Sequence, residues 1–270
     1  MHVTKLHKHL KINVAVVSHR HYEIIKSLNC LPRLANKNDI KVCIIDNVGE
    51  PNLEVYCKEY SFSYIKNFKL CGFGENNNKV FDFFYKNKED FENSYFLVLN
   101  PDVDITIDNI RKLAREMHAK DIQLSTVNLF KDANHSIPDN SIRIYPELYD
   151  FFSSFILKKN KTIINKNLIE TPCPVDWAAG SFLMFSSSLY EKLLGFDESY
   201  FMYCEDIDIC LRSNLLHGQS VVFFPDIKAT HYAAHENRRF FSKNFLWHTI
   251  SIVKFLFKKK NIYPSAKDGL

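Results

Sequence analysis

Asp102 and Asp104 are the first side chains whose spacing suggests chemistry. They are separated by one residue in the segment NPDVD, which directly follows an apolar run. Two carboxylates so spaced in a turn can bind a hard divalent cation, Mg²⁺ or Mn²⁺, which also binds phosphate oxygens. Such a cation offsets the charge that builds on a diphosphate leaving group. The segment therefore predicts a metal site beside a bound diphosphate, although turns are also rich in aspartate for structural reasons.

Glu205 and Asp206 form a second acidic pair, placed where a helix should begin and directly after the aromatic segment 200–203, YFMY. Capping of that helix is the simple interpretation, because carboxylates at a helix N-terminus are stabilised by the dipole. In the functional interpretation Asp206 is a general base that deprotonates an acceptor hydroxyl as its oxygen attacks the anomeric carbon of a sugar. The aromatic neighbours would raise the pKa of Asp206 by desolvation. Glu205 would line the substrate site beside it.

His231 lies in the turn 230–232, THY, after a predicted strand. Imidazole is a good third ligand for a transition metal such as Mn²⁺. A lone histidine can equally be structural or solvated. Its position after the acidic helix favours ligation, so we group it with Asp102 and Asp104 as a candidate metal ligand.

A nucleotide pocket is predicted where the first two strands end. Asp46 and Asn47 close the second strand, and Asp46 could accept the N3–H of uracil or thymine. A helix cap is the alternative for Asp46. Ser18 and His19 close the first strand and are expected to line the same pocket.

Gly72, Phe73 and Gly74 form a tight turn that opens a predicted helix containing Asn77. Exposed backbone N–H groups at such a helix start could bind a diphosphate. The turn is not a Walker loop, because no GK[ST] follows it, and it lacks the full dinucleotide fingerprint. A simple structural turn is the alternative.

The elements that must position these groups alternate between short β-branched runs and helical segments. This order predicts an α/β fold with a mostly parallel, Rossmann-like central sheet and flanking helices. Ligands bind at the carboxyl ends of strands in such sheets, which places Asp46 and Asp102 on one rim. Segment 131–174 has a weaker pattern and is interpreted as an irregular insertion over that rim. The predicted strands are 11–18, 40–46, 63–66, 95–99, 122–128 and 220–224, and the main helices are 22–31, 53–59, 108–118 and 205–217.

Length and composition suit one large globular domain. The chain has 270 residues, of which 46% are hydrophobic and 24% charged. Its seven cysteines contain no CxxC pair, so we expect reduced cytoplasmic thiols and neither a disulfide framework nor a zinc site. We find no signal-peptide pattern at the N-terminus and no apolar run long enough to span a membrane.

The segment 236–270 has a net charge of +6, so the remainder of the chain is slightly acidic. Eight Lys or Arg residues and two acidic residues occur there among many Phe and one Trp, while the whole chain has a net charge of +4. A basic aromatic amphipathic helix suits an anionic membrane surface. The alternative is a C-terminal helix packed on the domain. Nucleic-acid binding is not expected, because the charge is confined to a short Phe-rich helix.

Taken together, the motifs resemble those of inverting family-2 glycosyltransferases with the GT-A fold. The resemblance covers nearly the whole chain and is strongest in VDWAAGSF, which contains Trp177 and Gly180, in GFD, and in YFMYCEDID. Within that family the chain is similar to bacterial O-antigen rhamnosyltransferases that act on N-acetylglucosamine-diphospho-undecaprenol. It departs from the family at Val48-Gly49, where Gly-Ser is common, and in 131–174, which carries no recognisable motif.

The resemblance implies transfer of L-rhamnose from dTDP-β-L-rhamnose to a polyprenyl-diphosphate-linked acceptor. It implies Mg²⁺ or Mn²⁺ on Asp104, with help from Asp102 and His231, and Asp206 as the base. Asp46, Trp177 and Gly180 would belong to the donor or substrate site. It also implies a GT-A domain over 1–235 with a membrane-associating segment over 236–270, located in the cytoplasm on the inner face of the bacterial cytoplasmic membrane.

Three alternatives stay open. Asp46 can accept from uracil and thymine alike, so UDP-galactofuranose or UDP-glucose could replace the dTDP sugar. A non-catalytic module could bind a nucleotide sugar or a lipid without turnover. A structural membrane-surface protein could use the tail alone.

Overall fold

A computed structural model describes residues 10–34, 38–86, 91, 93–147, 161–232 and 243–262, except the side chains of 243–246 and 260–262. Within these ranges the strands are β1 Lys11–Ser18, β2 Ile40–Asp46, β3 Ser63–Lys66, β4 Ser94–Leu99, β5 Val103–Asp104, β6 Leu124–Phe130, β7 Ile142–Arg143, β8 Cys173–Val175, β9 Trp177–Ala178, β10 Phe182–Ser186 and β11 Val221–His231. The helices are α1 Tyr22–Leu28, α2 Cys30–Leu34, α3 Pro51–Glu59, α4 Phe73–Tyr85, α5 Ile107–Ala119, α6 Ser187–Lys192, α7 Glu205–His217 and α8 Lys243–Ile262.

The strands build one large sheet in the order β3-β2-β1-β4-β10-β6-β11-β5, with β8 added beside β11. The pairs β1–β2, β1–β4, β2–β3 and β6–β11 are parallel, which confirms the predicted α/β architecture. β10 is antiparallel to both of its neighbours, β4 and β6. β7 and β9 form a separate two-stranded sheet.

Two hydrophobic cores lie on the two faces of the sheet because side chains alternate along each strand. On β1, Val14 and Val16 belong to the first core and Ala15 to the second. The helices α1, α2, α3 and α5 cover the first face. The helices α4, α6, α7 and α8 cover the second. The predicted sheet with flanking helices is therefore confirmed.

The predicted helix over 22–31 is wrong in its extent. Asn29 adopts a left-handed conformation with φ 49° and separates α1 from α2. Pro32, expected to end the helix, lies in the first turn of α2 instead. A proline is tolerated there because the N–H it lacks has no partner within the helix.

The last strand is also longer than predicted. β11 continues to His231 because its pairing with β6 shifts register between Phe224 and Lys228. This extension brings His231 opposite Val103 of β5. The described parts of segment 131–174 hold only short elements, whereas Phe151, Phe152 and Phe155 lie outside the described residues.

The C-terminal helix α8 packs on the domain with one face. Ile252 and Phe255 are buried within the second core. On another side Ile250, Val253 and Phe257 are exposed. Among the helices that the structure describes, none is both long and apolar enough to cross a membrane.

Candidate functional site

Asp46 lies at the carboxyl end of β2, and each of its two carboxylate oxygens accepts two hydrogen bonds. Oδ1 accepts from the backbone N–H groups of Val48 and Gly49, at 3.1 and 2.7 Å. Oδ2 accepts from the N–H of Glu50 at 2.6 Å and from the hydroxyl of Tyr64 at 2.9 Å. These contacts give Asp46 a structural role in shaping the loop before α3, whose N-cap is Glu50 rather than Asp46. A contact between Asp46 and a nucleotide base stays a prediction.

Glu50 organises the end of β1, a role that the sequence analysis missed. Its carboxylate accepts from the hydroxyl of Ser18 and from the backbone N–H groups of residues 20–22. Ser18 is fully buried by this contact, while the neighbouring His19 is exposed at the rim. The sequence carried no signal for this role, because Glu50 lies 32 residues from Ser18.

Asn47 ties the β2 rim to the turn before α4. Its Oδ1 accepts from the N–H of Cys71 and from the side chain of Asn67, both at 3.0 Å. Its Nδ2 donates to the carbonyl of Cys71 at 3.0 Å and lies 3.5 Å from Nδ1 of His19. The predicted pocket residues His19 and Asn47 are therefore neighbours, and Asn47 positions the loop that leads to Gly72.

The glycines of the 72–74 turn are required by close packing. A Cβ at Gly72 would lie 2.6 Å from the carbonyl oxygen of Phe201, and one at Gly74 would lie 2.7 Å from Cβ of Phe196. The N–H of Phe73 already donates to the carbonyl of Phe201 at 3.1 Å. The turn thus packs against the loop that precedes α7, and the N–H at residue 73 is not available to a diphosphate.

Asn77, one turn into α4, is fully buried. Its Nδ2 donates to the carbonyl of Phe73 at 2.9 Å, while its Oδ1 has no hydrogen-bond partner. Buried acceptors are almost always paired in proteins, so this oxygen is a candidate ligand contact.

Three predicted residues from distant parts of the chain meet at the start of α7. The N–H of Gly180 donates to Oδ2 of Asp206 at 3.2 Å. A Cβ at Gly180 would lie 3.0 Å from the ring of Phe73 and 3.7 Å from Cβ of Asp206. The absence of a side chain at Gly180 therefore lets α4 and α7 approach each other around the carboxylate.

Asp206 and Glu205 have unequal environments although they are adjacent. Glu205 is only 6% exposed, whereas Asp206 remains partly exposed. Burial, reinforced by the neighbouring Asp206 carboxylate, raises the pKa of Glu205 to about 8. Burial also raises the pKa of Asp206, opposed by the N–H groups of Gly180 and Ile207 and by the charge of Arg143. Repulsion between the adjacent carboxylates favours one proton shared by the pair, and the partly exposed Asp206, which accepts from the N–H groups of Gly180 and Ile207, is the better stabilised carboxylate.

Glu205 should make folding stability fall as pH rises above its ordinary pKa of 4.5. The folded protein binds this proton more tightly than the unfolded chain, because the pKa in the fold is about 8. Its contribution is complete below pH 4.5 and is lost progressively up to pH 8. Glu205→Gln should flatten this part of the profile of melting temperature against pH. Parallel profiles for the two proteins would contradict the shift.

Trp177 fixes the small β7–β9 sheet next to the acidic pair. Its Nε1 donates to the carbonyl of Ile144 at 2.9 Å. The guanidinium of Arg143 lies 5.4 Å from the centre of the Trp177 ring, within range of a cation–π contact. Arg143 is also close enough to Asp206 to lower the pKa of that carboxyl. Trp177 therefore acts through Arg143, which places a cation beside the candidate base.

His231 lies between two carboxylates. Its Nδ1 is 2.7 Å from Oδ2 of Asp139, and its Nε2 is 3.4 Å from Oδ1 of Asp102. Burial disfavours the charged imidazole, but Asp102 and Asp139 together raise the pKa of His231 to about 9. The same partnership lowers the pKa of Asp102 in spite of its burial. Oδ1 of Asp102 is buried without a hydrogen bond, so its contact with His231 is an ionic one.

Asp104 does not join this group. Its carboxylate pairs with the guanidinium of Arg33 on α2. No three His, Cys, Asp or Glu side chains gather as a metal-binding group in the part of the chain described above. Asp104 is thus engaged by α2, and a cation held jointly by Asp102, Asp104 and His231 stays a prediction.

Asp139 and Lys166 are further residues that the sequence did not reveal. Both come from segment 131–174, which carries no recognisable motif. Nζ of Lys166 is buried and donates to the hydroxyl of Ser141 at 2.8 Å and to the carbonyl of Leu129 at 3.1 Å. Burial lowers the pKa of Lys166 to about 8, against the attraction of Asp139. This lysine supports the loop that presents Asp139 to His231.

Comparison with known proteins identifies relatives over the whole chain. The chain is 39% identical over 251 residues to the rhamnosyltransferase WbbL of Escherichia coli K12, covering 92% of this chain and 94% of WbbL. It is 28% identical over 214 residues to the low-salt glycan biosynthesis hexosyltransferase Agl10 of Haloferax volcanii, covering 78% and 65%. A 66-residue stretch is 39% identical to the N-acetylglucosaminyl-diphospho-decaprenol L-rhamnosyltransferase of Mycobacterium tuberculosis, covering 24% and 21%. No family model matches the chain.

Solved structures show the same fold. The mannosyltransferase PcManGT of Pyrobaculum calidifontis, in complex with GDP-Man and Mn²⁺, aligns with a TM-score of 0.56 at 10% identity. That alignment covers 86% of this chain and 59% of PcManGT. S. aureus TarS 1-349 with UDP aligns with a TM-score of 0.56 at 13% identity, covering 82% and 60%. The chain thus spans about 60% of these structures.

The sheet and these likenesses show the fold of the GT-A glycosyltransferases. The near full-length identity goes further: the chain belongs to the family of the rhamnosyltransferase WbbL.

Proposed function

We propose that the protein is an inverting rhamnosyltransferase that transfers L-rhamnose from dTDP-β-L-rhamnose to N-acetylglucosamine on a polyprenyl diphosphate. The similarity to WbbL supports rhamnose as the sugar, and the mycobacterial relative is named for a GlcNAc-diphospho-lipid acceptor. The observation that carries the proposal is the Asp206 carboxylate, which accepts from the N–H of Gly180 at 3.2 Å and lies next to the buried Glu205.

The chemistry follows from the unequal acidic pair. Asp206 accepts the proton of the acceptor hydroxyl, whose oxygen forms a bond to C1 of the sugar while the bond from C1 to the dTDP oxygen breaks. One in-line displacement inverts the configuration at C1. Glu205, protonated and buried, adds no second charge beside the base, and Gly180 keeps the Asp206 carboxylate in place through its N–H.

A divalent cation fits the residues around Asp102. Oδ1 of Asp102 is buried, makes no hydrogen bond within the described residues and faces His231, which provides a nitrogen donor once its proton is released. When bound, Mg²⁺ or Mn²⁺ would neutralise charge on the diphosphate. Two protein donors suffice when phosphate oxygens and water complete the coordination. We therefore assign the cation to Asp102 and His231 rather than to Asp104.

We further propose a peripheral location on the inner face of the cytoplasmic membrane. Ile250, Val253 and Phe257 are exposed by 56%, 48% and 67% on one side of α8. Their spacing of three and four residues places them in one stripe along the helix. Such a stripe suits insertion between lipid headgroups close to a lipid-linked acceptor. Co-sedimentation with phosphatidylglycerol vesicles measures this contact, and a chain that stays in the supernatant refutes it.

The function is tested by incubating the full chain, with Mg²⁺ or Mn²⁺, with a synthetic GlcNAc-diphospho-lipid and each of several donors. We expect the mass of a deoxyhexose to be added from dTDP-rhamnose alone. Addition of a hexose from UDP-galactofuranose or UDP-glucose would keep the enzyme class and change the donor. Binding of dTDP or UDP without transfer to this acceptor would reject the proposed reaction and favour the binding-module alternative.

A further inference from the structure

We propose that Lys258 of α8 is a positioning residue that holds the loop 197–204, and through it the Asp206 carboxylate, in the reactive arrangement. The proposal rests on the proposed role of Asp206. Sequence analysis assigned the lysines of this segment to an anionic membrane surface. The structure turns Lys258 inward, where its charge is used within the domain.

Lys258 bridges the two ends of the segment that surrounds Asp206. Its Nζ lies 2.9 Å from Oδ2 of Asp197, at the start of the loop, and 2.6 Å from Oδ1 of Asp208, on the first turn of α7. The side chain of Asp208 is 2% exposed, whereas that of Lys258 is 27% exposed. The ammonium group of Lys258 therefore connects a residue before Asp206 with a residue after it.

Asp208 is a shared partner rather than an isolated one. Its Oδ2 accepts from Nε of Arg212 at 2.7 Å. The same guanidinium donates to the carbonyls of Leu193 and Gly195, at 2.6 and 2.9 Å. Arg212 thereby fixes the chain just before the loop, and Lys258 fixes the loop itself. A buried carboxylate with two cationic partners is held in one position by charge-assisted hydrogen bonds.

Other residues of α8 contact the same loop. The hydroxyl of Ser251 donates to the carbonyl of Met202 at 2.9 Å. Nζ of Lys254 donates to the carbonyl of Ser199 at 2.7 Å. The rings of Trp247 and Phe201 lie 4.7 Å apart. Side chains from three turns of α8 thus contact successive parts of the loop.

The loop needs such support because its last two residues are strained. Tyr203 and Cys204 have φ values of 72° and 66°, in the left-handed region that side chains other than glycine rarely adopt. Cys204 is also the N-cap of α7, and its side chain makes no capping hydrogen bond. Strained residues persist where the surroundings over-determine them. Release of the loop would let this pair relax and would move Asp206, which is two residues further on.

Lys258→Met, made in the full chain and assayed with a water-soluble short-chain acceptor, tests the proposal. We expect kcat to fall by about 10- to 100-fold, since small misplacements of a catalytic group have effects of this size. KM for the donor should change by less than about threefold, because the nucleotide rim is untouched. Lys258→Arg should restore kcat. Lys259→Met is the matched control, because the one contact of Lys259 Nζ among the described residues is a 3.4 Å hydrogen bond to the carbonyl of Pro146.

Amide hydrogen exchange separates failure of this proposal from failure of the proposed function. In Lys258→Met without substrate, amides of 197–208 should exchange at least tenfold faster, while those of β1 and β2 stay unchanged. If the native chain shows no transfer but the loop exchanges faster in the variant, the proposed reaction fails and the positioning role stands. Unchanged exchange, or unchanged kcat in an active enzyme, overturns the positioning role.

Discussion

Asp206→Asn is expected to lower kcat by about 10²- to 10⁴-fold, the usual contribution of a general base. The amide keeps the size of the side chain and can still accept from the N–H of Gly180 through its oxygen, but it cannot take the acceptor proton. Donor binding should stay within about twofold of the native value, because an interaction made only in the transition state is lost. Transfer rates and titration with the nucleotide sugar measure the two quantities.

Glu198→Gln is the matched control for Asp206→Asn. Glu198 precedes the same helix, is exposed, and accepts from the side chain of Asn78 at 3.0 Å. Its replacement should leave kcat unchanged. Full activity of Asp206→Asn would remove Asp206 as the base. A loss of donor binding equal to the loss of turnover would make it a binding residue instead.

Asp102→Asn is expected to weaken Mn²⁺ binding by more than about tenfold, since even changes that only orient a ligand cost 10- to 100-fold. The reason is that Oδ1 of Asp102 is buried and faces His231 without a hydrogen bond among the described residues. Titration of Mn²⁺ in the presence of dTDP, followed by electron paramagnetic resonance, measures the affinity without relying on turnover. Transfer should fall in parallel with metal occupancy.

Asp104→Asn discriminates between the two assignments of the cation. Asp104 is separated from Asp102 by one residue, Val103. Its carboxylate pairs with Arg33 in a partly exposed ion pair. Its loss should leave Mn²⁺ affinity unchanged and reduce stability by less than about 1 kcal/mol. A large loss of Mn²⁺ affinity in Asp104→Asn, with native affinity in Asp102→Asn, would restore the ligand suggested by the family resemblance.

The parts of the fold that local pattern determines were predictable. The first two strands were expected at 11–18 and 40–46 and are observed there, because continuous β-branched runs are typical of buried parallel strands. The start of α7 at Glu205 was also visible, since acidic residues follow an aromatic loop. Gly180 was placed near the site by resemblance alone. The physical reason for it, its contacts with Phe73 and Asp206, emerges only from the packing.

The parts that depend on long-range pairs were not predictable. Asp139 meets His231 across 92 residues, and Lys258 meets Asp197 across 61. Neither pair has a spacing that one helix or one strand could impose. The interpretation of Asp104 as a ligand came from its spacing to Asp102, which says nothing about Arg33 on the other side of the turn. Charge on α8 likewise suggested a membrane surface because the buried partners of Lys258 were not visible in the sequence.

The antiparallel strand β10 joins the two halves of the large sheet. It is five residues long and fully central, yet it enters the sheet after both of its neighbours, β4 and β6, have been synthesised. Until it arrives, each of those apolar strands has an unpaired edge, which is a site for association with other chains. Gly180 lies two residues before β10, so the pairing of β10 with β4 and β6 also places the N–H that holds Asp206. Substitutions that slow the insertion of β10 should therefore lower the yield of folded enzyme and not only its activity.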